Sequence, residues 1–212
     1  MDEPLVIVGA GGHARETAFA FLLAAQPGRF LGFLADEGLK STLEGWPIIG
    51  RVDEAASHAK ARFIVAINDP RTRRTIVGRL ARIGVEHWGC VIHPDVHLHA
   101  SVRLGVGTSI LGGCQLTTNI HLGNHCILNR GSQVGHDASV GDFCSLNPGA
   151  CVAGGAEIGP GCELGSMCAI RQRTAIGAGA TVGMGATVLD DVPSDAVVVG
   201  NPARLLRSNL PW

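Results

Sequence analysis

Ile127-Leu128-Asn129-Arg130-Gly131-Ser132-Gln133-Val134-Gly135-His136-Asp137-Ala138-Ser139-Val140-Gly141-Asp142-Phe143-Cys144-Ser145-Leu146 places Leu128, Val134, Val140 and Leu146 at a strict spacing of six. Followed in both directions, the spacing runs from Ile92 to Val188. It makes 17 hexads over residues 90–191, with Leu, Ile or Val in the third place of every one. Those three types fill 25 of the 102 positions, so chance would produce the pattern with a probability of roughly 10⁻¹⁰, and a short fixed period of this kind marks a solenoid. Six matches neither the 3.6 of a helix nor the alternation of a long strand. It fits short strands joined by turns, and Gly, Asn and Asp crowd the places after each aliphatic. With three hexads to a triangular coil, the segment forms nearly six coils, about 27 Å of prism at a strand spacing of 4.8 Å.

The cysteines share this frame. Cys90, Cys114, Cys126, Cys144, Cys162 and Cys168 all stand two places before an aliphatic, and only Cys151 departs. Seven cysteines without a CxxC pair make neither a disulfide framework nor a zinc site. They read as small buried side chains and point to a reducing compartment. The 30 glycines against six Phe, three Trp and no Tyr have the same origin in the coil.

The solenoid resembles the hexapeptide-repeat acyltransferases over residues 90 to about 207. Val198-Val199-Gly200-Asn201-Pro202-Ala203-Arg204 is similar to that family's C-terminal G-x-P-A-[KR] ending. The resemblance implies a left-handed parallel β-helix and a homotrimer with sites at subunit interfaces.

Before the solenoid, Leu5-Val6-Ile7-Val8 reads as a buried strand running into Gly9-Ala10-Gly11-Gly12-His13, with a helix over 14–25. Strand, glycine turn and helix start form an anion site, since backbone N–H groups and the helix dipole point at the loop. Further strands are predicted over 30–34, ending at Asp36, and over 63–67, ending at Asn68-Asp69-Pro70. The Arg-rich stretch 70–83 reads as an amphipathic helix with a solvated face. This is a small α/β domain, residues 1–88, with a short Rossmann-like parallel sheet, followed by the β-helix domain and its tail over 89–212. Gly9-x-Gly11-x-x-Ala14 with Asp36 suggests a dinucleotide fingerprint. About 88 residues are too few for both halves of that fold, so one nucleotide or nucleotide sugar is the better ligand.

That domain order resembles the bacterial N-acetyltransferases of UDP- or GDP-linked 4-amino sugars and the sialic acid O-acetyltransferases. Acetyl transfer to an amine needs a base, and nine histidines are available. His136 follows its hexad aliphatic by two and projects at a corner, and Asp137 beside it can hold the imidazole tautomer. Gly154, 18 residues on, leaves room for substrate one coil away, and Asn129 stacks with Asn147. In the resembling family the matching His and acidic residue are base and assistant, and the matching Asn lies at the acceptor site. The family's frequent second His is Ser145 here. The N-terminal domain is expected to hold the diphosphate through Gly11, Gly12 and His13, with Asp36 and Asn68 at the strand ends. By resemblance, acetyl-CoA lies along Ser145, Gly154, Ser166 and Met184 toward Pro202. Transfer is direct, because no cysteine occupies an exposed motif position.

His121 and His125 read as surface or interface residues, while His93, His97 and His99 cap the first coil. The zinc carbonic anhydrases that share the solenoid bind metal through three histidines. No such set stands here at the right spacing, and no metal is expected. A non-catalytic scaffold is the alternative from another class, and it leaves His136-Asp137 without a purpose. With no loop extruded from the hexads, the acceptor must be held by an N-terminal domain, the chain's own or a neighbour's. Hydrophobic residues at 46%, charged residues at 17% and a net charge of −1 argue against recruitment by nucleic acid or an anionic membrane. No apolar run approaches a membrane span, and Met1-Asp2-Glu3-Pro4 lacks the basic start of a signal peptide, so the expected location is cytoplasmic.

Overall fold

The computed structural model describes residues 3–24, 29–36 and 41–212; the Met1-Asp2 start and Ala25, the expected end of the first helix, lie outside them. Strand β1 (Leu5–Val8) is buried on every residue, as an interior strand of a sheet covered on both sides must be. Helix α1 (Gly12–Leu23) follows and buries Ala14, Thr17, Ala18, Ala20 and Phe21. Strand β2 (Phe30–Leu34) pairs parallel to β1. A hairpin, β3 (Thr42–Leu43) and β4 (Trp46–Gly50), then adds an edge that the sequence reading lacks. Its turn residues Glu44 and Gly45 both have positive φ, as tight hairpins require, but Glu-Gly is a weak signal for such a turn. Strand β5 (Arg62–Val65) completes the order β3-β4-β2-β1-β5. The chain leaves the sheet at Ala66, two residues earlier than the apolar run suggests. Helix α2 (Pro70–Arg82) starts at an Asp69 cap that accepts from Thr72 N at 2.7 Å.

From Val91 the chain is a left-handed parallel β-helix of 16 two-residue strands. Face I stacks Arg103–Leu104, His121–Leu122, Ser139–Val140, Glu157–Ile158 and Ala175–Ile176. Face II carries Ser109–Ile110, Ile127–Leu128 and Ser145–Leu146 and is extended by Ala196–Val199 and Arg204–Ser208. Face III carries Gln133–Val134 and Cys151–Val152. Every two-residue strand of the β-helix pairs with one 18 residues away, the three-hexad coil. From Ile110 to Val188 all 14 hexad aliphatics are buried in one continuous core. Ile92, Leu98 and Leu104 are only partly covered, because the first coil has a neighbour on one side alone.

The two units share apolar contacts. Val91 and Leu111 of the coil belong to the core formed by α1, Phe21, Phe30 and Phe33. All seven cysteines are free, and the thiols of Cys126, Cys144 and Cys162 each donate to a carbonyl 15 residues ahead at 3.1 Å. Burial pushes the Cys114 thiol up to about 11 and the Cys168 thiol up to about 12, so both are inert packing groups. No helix among the described residues is long and apolar enough to cross a membrane.

Candidate active site

The strand ends of the α/β unit enclose a cavity of about 600 Å³ that brings together Gly11, Gly12, His13, Asp36 and Asn68. Gly11 caps α1 in an extended conformation. Neither it nor Gly12 has backbone or apolar atoms crowding its open side, and both line the cavity at the helix start, where N–H groups lack intrahelical partners. Two polar atoms of the lining are buried without a partner, His13 Nδ1 and Asn68 Oδ1. Burial, then the charge of Arg73, pulls the His13 pKa down to about 4. At neutral pH His13 is therefore a neutral hydrogen-bonding ring and not a cation. Asp36 is already engaged at the far end: it pairs with Arg79 and accepts from Val52 N at 3.2 Å.

Arg73 corrects the reading of α2 as a solvated face. Its guanidinium is fully buried and grips both units through neutral oxygens. Nη1 donates to Ile67 O and Asn68 O at 2.6 and 2.9 Å. Nε reaches His125 O at 2.8 Å, and Nη2 reaches Phe143 O at 2.7 Å and Ser145 Oγ at 3.0 Å. Burial lowers its pKa to about 10, which leaves it charged at neutral pH. Its signal was present in the sequence, since Arg73 shares the spacing of Ile76, Val77 and Leu80, a helix stripe that faces a core.

Three further expectations change. His125 is no surface residue: it is buried, stacked on Phe143 at 5.1 Å between ring centroids and edge-on to Trp88 at 4.8 Å. Ser145 points from face II into the seam between the units, where its hydroxyl donates to Asn68 O at 2.5 Å; it is fully buried, away from any open groove. Gly154 leaves no vacant space for substrate, because the His136 ring lies over it; a β-carbon on Gly154 would sit 2.6 Å from His136 Nε2.

His136 stands on the corner between faces III and I, 68% exposed, with Nδ1 2.8 Å from Asp137 Oδ2. Asp137 turns the corner at φ +60°, a conformation Asp tolerates better than most residues. Hydrogen bonds from Asn119 and then His136 hold its carboxyl below the usual range. The cavity adjoins a different corner, between faces II and III. There Asn68 Nδ2 donates to Asn147 Oδ1 at 2.8 Å and Glu16 approaches Arg130 at 3.5 Å. Asn129 lies on that same corner, buried, its Oδ1 accepting from Arg130 N. Ser166 and the exposed Met184 follow along it, and Pro202 lies exposed in the turn beyond. In a triangular prism the corner between III and I is opposite face II. One chain thus holds its cavity and its His136 at different corners, with face III between them, and Gly154 and Met184 likewise stand on different corners.

The PglD N-terminal domain family matches residues 4–80. The acetyltransferase domain of PglB from Neisseria gonorrhoeae FA1090, solved with acetyl coenzyme A, is 30% identical. It covers 97% of this chain and 100% of its own, with a TM-score of 0.91. PerB from Caulobacter crescentus, solved with CoA and GDP-perosamine, is 28% identical with a TM-score of 0.88, covering 96% of this chain and 97% of its own. WeeI from Acinetobacter baumannii AYE is 30% identical with a TM-score of 0.83, covering 95% and 99%. The chain belongs to the nucleotide-sugar acetyltransferases of the hexapeptide-repeat type.

No curated protein sequence gives a match. As a member of that family the acetyltransferase uses acetyl-CoA as co-substrate. Among the described residues no group of three or more His, Cys, Asp or Glu is gathered to hold a metal.

Proposed function

We propose that this acetyltransferase moves the acetyl group of acetyl-CoA to the amine of a UDP- or GDP-linked 4-amino-deoxy sugar, with His136 as general base. The observation that carries the reading is the His136-Asp137 pair on an exposed corner. Asp137 accepts from Nδ1–H, so Nε2 bears the free lone pair. The amine attacks the thioester carbonyl while Nε2 takes its proton. The tetrahedral intermediate then collapses with C–S cleavage, and CoA leaves as the thiol by taking the proton from the imidazolium.

Residues 1–88 hold the sugar nucleotide, with the diphosphate at the N–H groups of Gly11 and Gly12 and near the neutral His13. Asn68 and Asp36 line the cavity beyond. Residues 89–212 carry the transfer, with the acyl donor along the corner of Ser166 and Met184, where exposed apolar surface suits a pantetheine arm. Asn129 stands beside the acceptor. Because the cavity and His136 stand at different corners of one chain, with the width of face III between them, the complete site takes His136 from a neighbouring copy, as a homotrimer provides. The free thiols support a cytoplasmic location.

The test is a mass-spectrometric transfer assay offering acetyl-CoA with UDP- and GDP-linked 4-amino sugars and with sialic acid. An acetylated sugar nucleotide is expected, reduced roughly 10²- to 10⁴-fold in His136→Ala. Product from sialic acid alone would replace the proposed acceptor, and full activity in the variant would remove His136 as the base.

A further inference from the structure

The corner that carries His136 continues one coil back into a residue that no part of the reaction scheme above uses. Asn119 lies 18 residues before Asp137 and occupies the same corner place, with φ +55° against +60°. Its Nδ2 lies 2.6 Å from Asp137 Oδ1, while the other carboxylate oxygen holds His136. A carboxylate only accepts, so the nitrogen of the amide, and not its oxygen, faces Asp137. Asn119 is tied down in turn: its backbone N–H donates to Ser101 Oγ at 2.7 Å, and that hydroxyl lies 2.8 Å from His99 Nδ1.

We infer that Asn119 is a positioning residue for the base: it pins Asp137 so that the carboxylate can orient only the Nδ1–H form of His136. The physical reason is exposure. Asp137 is 56% exposed and His136 68% exposed, so water competes for both partners and a dyad alone would sample several rotamers. A second hydrogen bond at the far oxygen fixes the carboxylate plane. This rests on the reading of His136 as base.

Asn119→Asp is the informative variant. It keeps the side-chain shape and tolerates positive φ, so the fold is retained, but it replaces the donor with an acceptor facing Asp137. Asn119→Gly removes the side chain without backbone strain. Two readouts on the full chain apply. Long-range ¹H–¹⁵N NMR of the substrate-free protein, with the His136 signal assigned by its loss in His136→Ala, reports the tautomer. Wild type should show the Nδ1–H form, and Asn119→Asp should shift toward the Nε2–H form that unconstrained histidine favours. Turnover of UDP- and GDP-linked 4-amino sugars should show kcat lowered about 30-fold in Asn119→Asp and about 5-fold in Asn119→Gly, with both KM values within twofold of wild type. An unchanged tautomer together with wild-type kcat, while His136→Ala is inactive, overturns the role of Asn119 alone. A fully active His136→Ala overturns the base and Asn119 with it.

Discussion

The three atoms nearest a β-carbon at position 154 would all belong to the far end of an exposed side chain, the His136 ring. Gly154→Ala should therefore push the imidazole aside at little cost to the fold. A displacement near 1 Å at a reacting group costs on the order of 10²-fold in rate, so the variant should lose about that in kcat while its melting temperature stays within a few degrees. Wild-type kcat would show that the ring position above Gly154 is not the reactive one. At this scale the proximity of His136, Asp137 and Gly154 was legible in the hexad frame, because an 18-residue coil fixes which residues are neighbours. The frame does not fix side-chain direction. It paired Gly154 with His136 but read the gap as space for substrate, when the imidazole itself fills it. Ser145 was misplaced for the same reason: its hexad place marks it as outward-facing on face II, and only the docked α/β unit buries it.

Between elements, the seam of α2 against the coil has a pH signature. Burial, then the charge of Arg73, lowers the pKa of both His13 and His125 to about 4, against about 6.5 in the unfolded chain. Below pH 6.5 the unfolded state takes up protons that the folded state refuses until about pH 4. Stability is thus intact above pH 6.5 and falls as pH drops toward 4, by up to about 1.4 kcal/mol per pH unit for each ring. His125→Phe places a ring where Phe143 already shows that one fits at positive φ, and it should remove about half of that loss. Urea midpoints at pH 7.5, 6.0 and 4.5 measure it; a variant with the wild-type slope would contradict the assignment. The seam was the part least visible in the sequence. Both helices, three strands of the sheet and every coil could be read from period and capping, since those signals are local. Arg73 meets His125 across 52 residues of chain, and Trp88 packs on the same imidazole from before the coil; no local pattern says that an Arg-rich helix will be laid against a solenoid face.

For the whole molecule, the unbroken hexads settled the architecture, and the topology of three faces adds the consequence that matters for catalysis. The α/β unit lies on face II and its flanking corners, while His136 occupies the corner opposite. The central claim is therefore that each reaction centre joins the sugar-nucleotide cavity of one copy to His136 of another. Two inactive variants test it by complementation. His136→Ala lacks the base. Gly11→Asp places a carboxylate at the α1 cap, where the side chain has room and is favoured by the helix, yet repels a diphosphate. Neither variant alone should turn over substrate. Co-assembled at equal amounts, a trimer that shares sites between neighbours regains about a quarter of wild-type activity by random mixing, because one site in four pairs an intact base with an intact cavity. Mixed assemblies as inactive as their parents, with co-assembly verified by native mass spectrometry, would mean that each chain completes its own site.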